Sequence, residues 1–275
     1  PDLGHACGHN LGGALSLLAG AALAELLPRI GGSVTVWGTP EEERGGGKAR
    51  MAEAGLFDGH HLLASVHPSA SESFLRPRTL ACATFLGTFR GDRGGRLFLH
   101  ATDLLRRTLP PEVRLQVRPR GPDAEGVVWA PRRELLRLAL DRLRRALEGC
   151  AAALGEEGAF SLPQPALEDL VPSPAGEALT ERVFRDLGIP AQGEPTELGT
   201  TDLGNASRRC PVVQPFLALL DRPCGWHEPA FAAQVTSPGA HRGLRQGARI
   251  LARMGLAVLL DRELRTELRR DYPAI

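Results

Sequence analysis

The sequence predicts an α/β protein in which helices cover a mostly parallel sheet and a small α/β lid domain is inserted into the larger domain. Two observations lead to this prediction. Short β-branched strands alternate with Ala- and Leu-rich helices in the first and last thirds of the chain, a pattern typical of parallel sheets. Candidate metal-binding side chains follow directly after strands, where such sheets form their sites. The larger domain is therefore predicted to comprise residues 1–78 and 161–275, and the lid residues 79–160.

In the first third of the chain, two predicted helices alternate with two predicted strands. Residues 10–27 are rich in Ala and Leu and predict a helix, and residues 48–54 predict a shorter one. Residues 33–38, with the sequence SVTVWG, combine β-branched side chains with an aromatic ring, which favours a strand. Residues 62–66 predict a second strand, and His67 follows it directly.

The middle and last thirds differ in pattern. The middle of the chain predicts a small α/β unit. Its three extended stretches are at 81–89, 113–117 and 127–129, and one long amphipathic helix is at 132–154. A Gly- and Arg-rich break at 91–96 interrupts this unit. The last third returns to the first pattern, with a helix, a polar loop, a strand and a long helix at 175–187, 199–205, 212–220 and 238–261.

Composition narrows the possible functions. A chain of 275 residues with 43% hydrophobic content can bury one large core or two modest ones. Its formal net charge of +1 argues against nucleic acid or an anionic membrane as the main partner. Five scattered cysteines, an odd number, do not form a disulfide framework and favour a reducing, cytoplasmic location. The longest apolar run, at 14–27, is too short to span a bilayer.

The first residues of the chain lead to a further expectation. The chain starts with Pro1 and Asp2, without an initiator Met, directly before a conspicuous motif. We expect upstream residues to be missing, and with them at least one strand of the sheet. One sheet edge would then be left unpaired.

Three short motifs offer the donors that divalent metals prefer. Cys7 and His9 share a Gly-flanked turn, the run 41–43 consists of three glutamates, and His67 precedes a proline. Thiolate, imidazole and carboxylate together suit zinc and related ions, and a second carboxylate can move protons. Each motif has a simpler interpretation: core residues of a tight turn, a solvated acidic turn, and a structural histidine. The stretch from Gly45 to Lys48 is not a phosphate loop, because no glycine stands at the spacing that would open one.

The motifs GHACGHN, GTPEEERGGGK, VHP, TTDLGN and WHEPAF occur in this order and precede a long Ala- and Leu-rich helix. Together they resemble the amidohydrolase branch of the aminoacylase/carboxypeptidase-type dinuclear metallopeptidases. The similarity covers about residues 1–90 and 120–275 and is greatest to the β-alanyl-lysine (Xaa-Arg) dipeptidases and the aminobenzoyl-glutamate hydrolases. It implies a zinc-exopeptidase-like catalytic domain with an inserted dimerisation domain.

The resemblance also implies the chemistry. It assigns two divalent metal ions, zinc or else manganese or cobalt, to five ligands: Cys7, His9, Glu43, His67 and His227. Glu42 corresponds to the general base, while Glu41 stands where the family has a small residue. The implied reaction is hydrolysis of an amide bond in a small dipeptide or N-acyl amino acid by metal-activated water. In the TTDLGN loop we predict substrate-binding roles for Thr201, Asp202 and Asn205. Asp202 either orients a metal ligand or caps its turn.

The lid departs from the family pattern. Family members carry a histidine shortly after the Phe-x-Gly of the first lid strand, and this histidine reaches the active site of the partner subunit. Here Gly91 is followed by Asp92, Arg93 and two glycines, with no histidine. His100 lies in the right region at the wrong spacing. We therefore expect the family homodimer to be weakened. The alternative to an active amidohydrolase is a metal-binding, catalytically impaired homologue or an incomplete gene model.

Overall fold

The computed structural model describes residues 4–43 and 45–272. The helices are α1 (His9–Ala24), α2 (Leu27–Ile30), α3 (Gly47–Glu53), α4 (Gly94–Arg106), α5 (Arg133–Leu154), α6 (Pro174–Asp186), α7 (Leu203–Ala206), α8 (Pro229–Ala232), α9 (Pro238–Leu260) and α10 (Arg262–Asp271). The strands are β1 (Leu63–Ala64), β2 (His67–Ser69), β3 (Pro77–Arg78), β4 (Ala81–Phe89), β5 (Arg114–Arg120), β6 (Asp123–Ala130), β7 (Gly158–Ser161), β8 (Thr196–Glu197), β9 (Val212–Val213) and β10 (Phe216–Ala218). Within these ranges, no helix combines the length and the apolar character needed to cross a bilayer.

The strands of the larger domain pair in parallel, as predicted. β1 pairs with β9 and β2 with β10, and both pairs keep one register, with Leu63 opposite Val212 and His67 opposite Phe216. Bonds from Ser65 N–H to the Val213 carbonyl and from His67 N–H to the Pro215 carbonyl bridge the gap between the two pairs. The ladder therefore runs from residue 63 to residue 69, and His67 lies towards its carboxyl end.

Two long helices pack against each other on one face of this ladder. The buried leucines of α1 recur every fourth residue or its multiple, which gives the helix one continuous buried stripe. Leu15 and Leu23 of that stripe lie against Gly247 and Gly255 of α9, where an added Cβ would meet their methyl groups at 2.8 and 2.6 Å. The glycines of α9 thus allow a close approach of the two helices.

The strand predicted at residues 33–38 is wrong. The segment is extended but pairs with no strand, and none of its backbone groups bonds to another backbone group of the described residues. Val36 nevertheless packs against Gly20 of α1, where an added Cβ would collide with the Val36 side chain. β-Branched side chains favour the extended conformation, but a strand exists only when a neighbour supplies the other half of the ladder.

The inserted unit is a four-stranded antiparallel sheet covered by two helices. Its strands lie in the order β5-β6-β4-β7, and α4 and α5 connect them in a β-α-β-β-α-β sequence. Its own core includes Phe85, Phe98, Leu143 and Leu147. The sheet runs from residue 81 to residue 161, while the division of the chain at 78/79 and 160/161 stays a prediction.

Candidate metal centre

The turn before α1 places Cys7 and His9 side by side. Gly8 between them has φ +78° and serves as the N-cap of α1. A Cβ there would lie 2.8 Å from Pro68 and 3.1 Å from the Phe231 ring. Only glycine combines this left-handed backbone with so close an approach. The turn therefore holds both donors against the end of β2.

The glutamate loop is tightly folded. Glu41 has φ +61°, which is unusual for a residue with a side chain, and its carbonyl accepts hydrogen bonds from Gly45 N (2.8 Å) and Gly46 N (2.9 Å). Strained backbone of this kind persists where the surrounding structure enforces it and is frequent at functional sites. The turn directs Glu42 and Glu43 towards α1.

Two contacts fix the ring of His67. Its Nδ1 lies 2.8 Å from the Pro68 carbonyl oxygen, which can only accept, so Nδ1 carries the proton. Its face stacks on Phe216 at 4.4 Å between centroids. The remaining nitrogen, Nε2, carries no proton and lies 3.5 Å from Cys7 Sγ, where its lone pair accepts from the thiol or can bind an ion. A metal-binding histidine commonly has this arrangement, with one nitrogen on a carbonyl and the other on the ion.

His227 reaches the same place from the far end of the sequence. It also has a left-handed backbone, with φ +64°, and its N–H donates to the Ala6 carbonyl at 2.8 Å. This bond ties the WHEPAF motif to the turn that holds Cys7. The His227 Nε2 atom then lies 3.3 Å from Glu43 Oε1.

All six side chains predicted to bind metal or act as base converge in one cluster. His9 Nε2 lies 3.7 Å from Glu42 Oε2 and 3.9 Å from Glu43 Oε1. Three triads each have their donor atoms within 4.8 Å of one another: Cys7, His9 and His67; Cys7, Glu43 and His227; and His9, Glu42 and Glu43. Two of these triads share the Cys7 sulfur. The individual roles stay predictions.

The electrostatics of the cluster favour a cation. Burial, together with the negative charges of Glu43 and Glu42, raises the pKa of the Cys7 thiol far above its ordinary value. Burial also raises the pKa of Glu42. Burial lowers the pKa of His67 to about 4, so this ring is neutral and able to coordinate near pH 7. A thiol and two carboxylates placed together repel one another once ionised, and a divalent cation removes that repulsion. The residues therefore fit a metal.

The acidic residue of the TTDLGN loop pairs with a lysine at the start of α3. Asp202 is fully buried, and its carboxylate accepts from the Lys48 backbone N–H at 2.8 Å and pairs with Lys48 Nζ at 2.7 Å. Among the described residues, the Asp202 side chain bonds neither to a predicted metal ligand nor to the backbone of its own turn. It instead joins the start of α3, which follows the glutamate loop, to α7. A substrate-binding role for Asp202 stays a prediction.

The other two predicted substrate-binding residues lie nearby. Thr201 is buried, and its hydroxyl is beside Glu42. The Asn205 amide donates to the Ala166 carbonyl and accepts from Glu168 N–H, so it holds the chain that returns from the lid. Substrate binding by Thr201 and Asn205 stays a prediction.

The buried Lys48–Asp202 pair gives a stability prediction. Lys48→Met leaves the Asp202 carboxylate buried without a counter-charge, and we expect the free energy of unfolding to fall by about 3 kcal/mol or more. A second change, Asp202→Leu, should recover most of that loss. Arg90→Met is the control, because the Arg90–Glu157 pair is 3.0 Å long but largely exposed, and its loss should cost under about 1 kcal/mol. Urea unfolding of the unmodified chain and the three variants measures these differences. Equal losses for Lys48→Met and Arg90→Met would contradict the prediction.

Sequence reasoning missed three residues around the cluster. Trp226 donates from Nε1 to the Pro68 carbonyl at 2.9 Å, the same oxygen that fixes His67, and Phe216 supports the His67 ring. Lys48 holds Asp202. Two signals were available: Trp226 directly precedes His227, and Lys48 is the only lysine of an arginine-rich chain. No comparable signal marked Phe216.

Solved structures of other proteins share this fold. No family model matches the chain. The YxeP protein of Bacillus subtilis, a dinuclear metal-binding peptidase from the M20 family, superimposes with a TM-score of 0.64 at 20% identity, covering 93% of this chain and 73% of that one. The fold is that of the M20 peptidases. The aminobenzoyl-glutamate utilization protein from Klebsiella pneumoniae gives the same TM-score at 17% identity, covering 88% and 66% of the two chains.

Curated proteins are similar to this chain in sequence over a shorter stretch. The Xaa-Arg dipeptidase of Mus musculus is 41% identical over 81 residues, 28% of this chain and 19% of that protein. One of the subunits of the p-aminobenzoyl-glutamate hydrolase of Escherichia coli is 38% identical over 90 residues, 32% and 19% of the two chains. The chain therefore matches about a fifth of the length of these relatives. The resemblance predicted from the motifs is confirmed.

Proposed function

We propose that this chain is a metal-dependent amidohydrolase that cleaves the amide bond of a small dipeptide or an N-acyl amino acid. The convergence of one thiol, three imidazoles and two carboxylates in one cluster is the observation that carries the proposal. The names of the similar proteins, Xaa-Arg dipeptidase and aminobenzoyl-glutamate hydrolase, suggest the substrate class.

The side chains have distinct proposed roles. Cys7, His9, Glu43, His67 and His227 hold two divalent ions, and the mixture of sulfur, nitrogen and oxygen donors suits zinc, manganese or cobalt. When bound, such ions supply Lewis-acid activation of water and of a substrate carbonyl. Glu42 accepts a proton from the water that attacks the amide carbon and returns it to the leaving nitrogen as the C–N bond breaks. The raised pKa of Glu42 suits an acceptor that must also donate.

A catalytically impaired relative is the second candidate. The observation that favours it is the absence of a histidine between Gly91 and Gly95, where α4 starts directly at Gly94. A genomic or transcript sequence that restores a His-containing segment there would favour the enzyme. Both candidates share two further proposed properties. One is a reducing cytoplasmic location, consistent with five free cysteines, and the other is weak self-association.

Metal analysis combined with a hydrolysis screen tests the proposed function. Purified protein should hold about one to two equivalents of zinc, manganese or cobalt. The screen should include β-alanyl-lysine, other Xaa-Arg and Xaa-Lys dipeptides, aminobenzoyl-glutamate and N-acetyl amino acids. Bound metal without any hydrolysis would favour the impaired relative, and protein that takes up no metal would refute both candidates.

Cys7→Ser should remove most of the bound metal. The substitution takes away the sulfur that two of the triads share, and a hydroxyl is a much poorer ligand at neutral pH. The matched control is Cys82→Ser on β4 of the lid, which should keep its metal. Mass spectrometry after exchange into metal-free buffer measures the metal content of both variants. An unchanged content in Cys7→Ser would refute the assignment of Cys7 as a ligand.

A further inference from the structure

Pro68 lies where three of the segments that carry predicted metal ligands meet. An added Cβ on Gly8 would meet the Pro68 ring at 2.8 Å. The Pro68 carbonyl oxygen lies 2.8 Å from His67 Nδ1 and 2.9 Å from Trp226 Nε1. Gly8, Pro68 and Trp226 are the direct sequence neighbours of four predicted ligands, which are Cys7, His9, His67 and His227.

The position of Pro68 in its strand leaves its carbonyl available to side chains. In a parallel strand, alternate residues direct their N–H and C=O groups to the same side. His67 N–H donates to the Pro215 carbonyl, and the Ser69 carbonyl accepts from Leu219 N–H, so both residues face β10. Pro68 between them faces away from β10, where a strand tolerates a residue without an N–H. Its carbonyl is therefore outside this ladder and accepts from two side chains instead.

Two aromatic rings hold Trp226 in a defined orientation. Its indole lies edge-on to the His67 ring, with centroids 6.2 Å apart, and edge-on to the Phe216 ring, with centroids 5.8 Å apart. The side chain is partly buried against the main core of the larger domain. Together with the hydrogen bond to the Pro68 carbonyl, these contacts fix the plane of the indole.

The two histidines that Trp226 connects belong to different triads. His67 and His227 each form a triad with Cys7, and these two triads share no other member. Trp226 donates to the same carbonyl as His67 and directly precedes His227 in the chain. A displaced indole would therefore move one histidine relative to the other.

We propose that Trp226 is a positioning residue for the metal pair, and that its indole N–H, through the Pro68 carbonyl, sets the place of His67 relative to His227. This inference rests on the proposed function, because it requires that the cluster binds metal. Groups that hydrogen-bond behind metal ligands orient them, and their loss typically lowers metal affinity about 10- to 100-fold. The competing explanation is that Trp226 only fills the core and donates because a buried indole needs an acceptor.

Cobalt binding to a variant without the indole N–H tests the proposal. Trp226→Phe keeps an aromatic ring but removes the donor, and we expect its affinity for Co²⁺ to fall at least about tenfold. The visible absorption bands of the bound Co²⁺ should also change, because they report the geometry of the ligands. The matched control is Trp129→Phe on β6 of the lid, which should leave affinity and bands unchanged. Titration of the whole metal-free protein with Co²⁺, followed by absorption, gives both readouts.

An analogue of the same shape separates the hydrogen bond from the packing. 3-Benzothienylalanine carries sulfur in place of the indole N–H, so at position 226 it keeps the packing and removes only the donor. It should lower the Co²⁺ affinity as Trp226→Phe does, with little change in the melting temperature of the metal-free protein. Unchanged affinity and bands in this analogue would assign Trp226 to packing and overturn the proposal, as would an equal loss in Trp129→Phe.

The unmodified chain distinguishes failure of this inference from failure of the proposed function. If the unmodified chain binds no Co²⁺, the metal-dependent function fails and the positioning role fails with it. If the unmodified chain binds Co²⁺ and both changes at position 226 leave binding as it was, only the positioning role fails.

Discussion

Replacing Glu42 by Gln should abolish amide hydrolysis while leaving the bound metal in place. The amide is nearly isosteric with the carboxylate, so the packing beside Thr201 and Lys48 persists, but it cannot accept a proton from water. Loss of a general base costs typically a hundred- to ten-thousand-fold in turnover. Turnover of the best dipeptide substrate, measured beside metal content in the same preparation, gives the result.

Glu43→Gln is the matched comparison for Glu42→Gln. The two residues are adjacent and both lie near His9, but only Glu43 also reaches His227. The Glu43 variant should lose metal and consequently activity, whereas the Glu42 variant loses activity alone. The reverse pattern would shift the assignment of base and ligand by one residue.

Restoring a His-containing segment to the lid should raise both activity and dimer formation. The chain as it stands is expected to be feebly active and mainly monomeric. The resemblance implies that the histidine missing from this lid would stabilise the developing oxyanion, and one such donor is worth about a hundred- to a thousand-fold in rate. The structure locates the insertion point. Gly94 packs against Phe89 and Gly95 against the Pro122 carbonyl, so the segment should enter at the exposed Asp92 and Arg93.

The same insertion with its histidine changed to Ala separates the two effects. It should restore the dimer, seen by sedimentation, but not the rate. The existing His100 is exposed on α4, and His100→Ala should leave the residual activity unchanged. Turnover of about 10 per second from the unmodified chain, a value typical of enzymes, would show that this lid stabilises the oxyanion in another way.

Elements defined by their own side chains were predictable from the sequence. The strand predicted at 81–89 is β4, and the helices predicted at 132–154 and 238–261 begin and end within a residue of α5 and α9. Their periodicity and caps are local, as at Ser237, whose side chain accepts from the N–H of Ala240. The segment 33–38 has equally clear strand composition and still failed, because pairing depends on a neighbour that composition does not reveal.

The same distinction applies to the candidate site. The order of the motifs predicted that six side chains belong to one site, and the structure brings these six side chains together. The partner of Asp202 was not predictable, since Lys48 lies 154 residues away and no pattern links the two. The left-handed backbone of His227 could not be predicted either, because it accompanies a hydrogen bond to the Ala6 carbonyl that forms only in the folded chain.

The distance along the chain between the cluster's members has a consequence for biosynthesis. Glu43 and His227 meet across 184 residues, and Cys7 lies earlier still. At about 5–20 residues per second, roughly ten to forty seconds pass between the appearance of Glu43 and that of His227 at the ribosome. Throughout that time the Cys7 thiol has no closed cluster around it. The nascent chain, rather than the folded protein, is therefore the form in which Cys7 is most open to oxidation and to capture of a stray thiophilic ion.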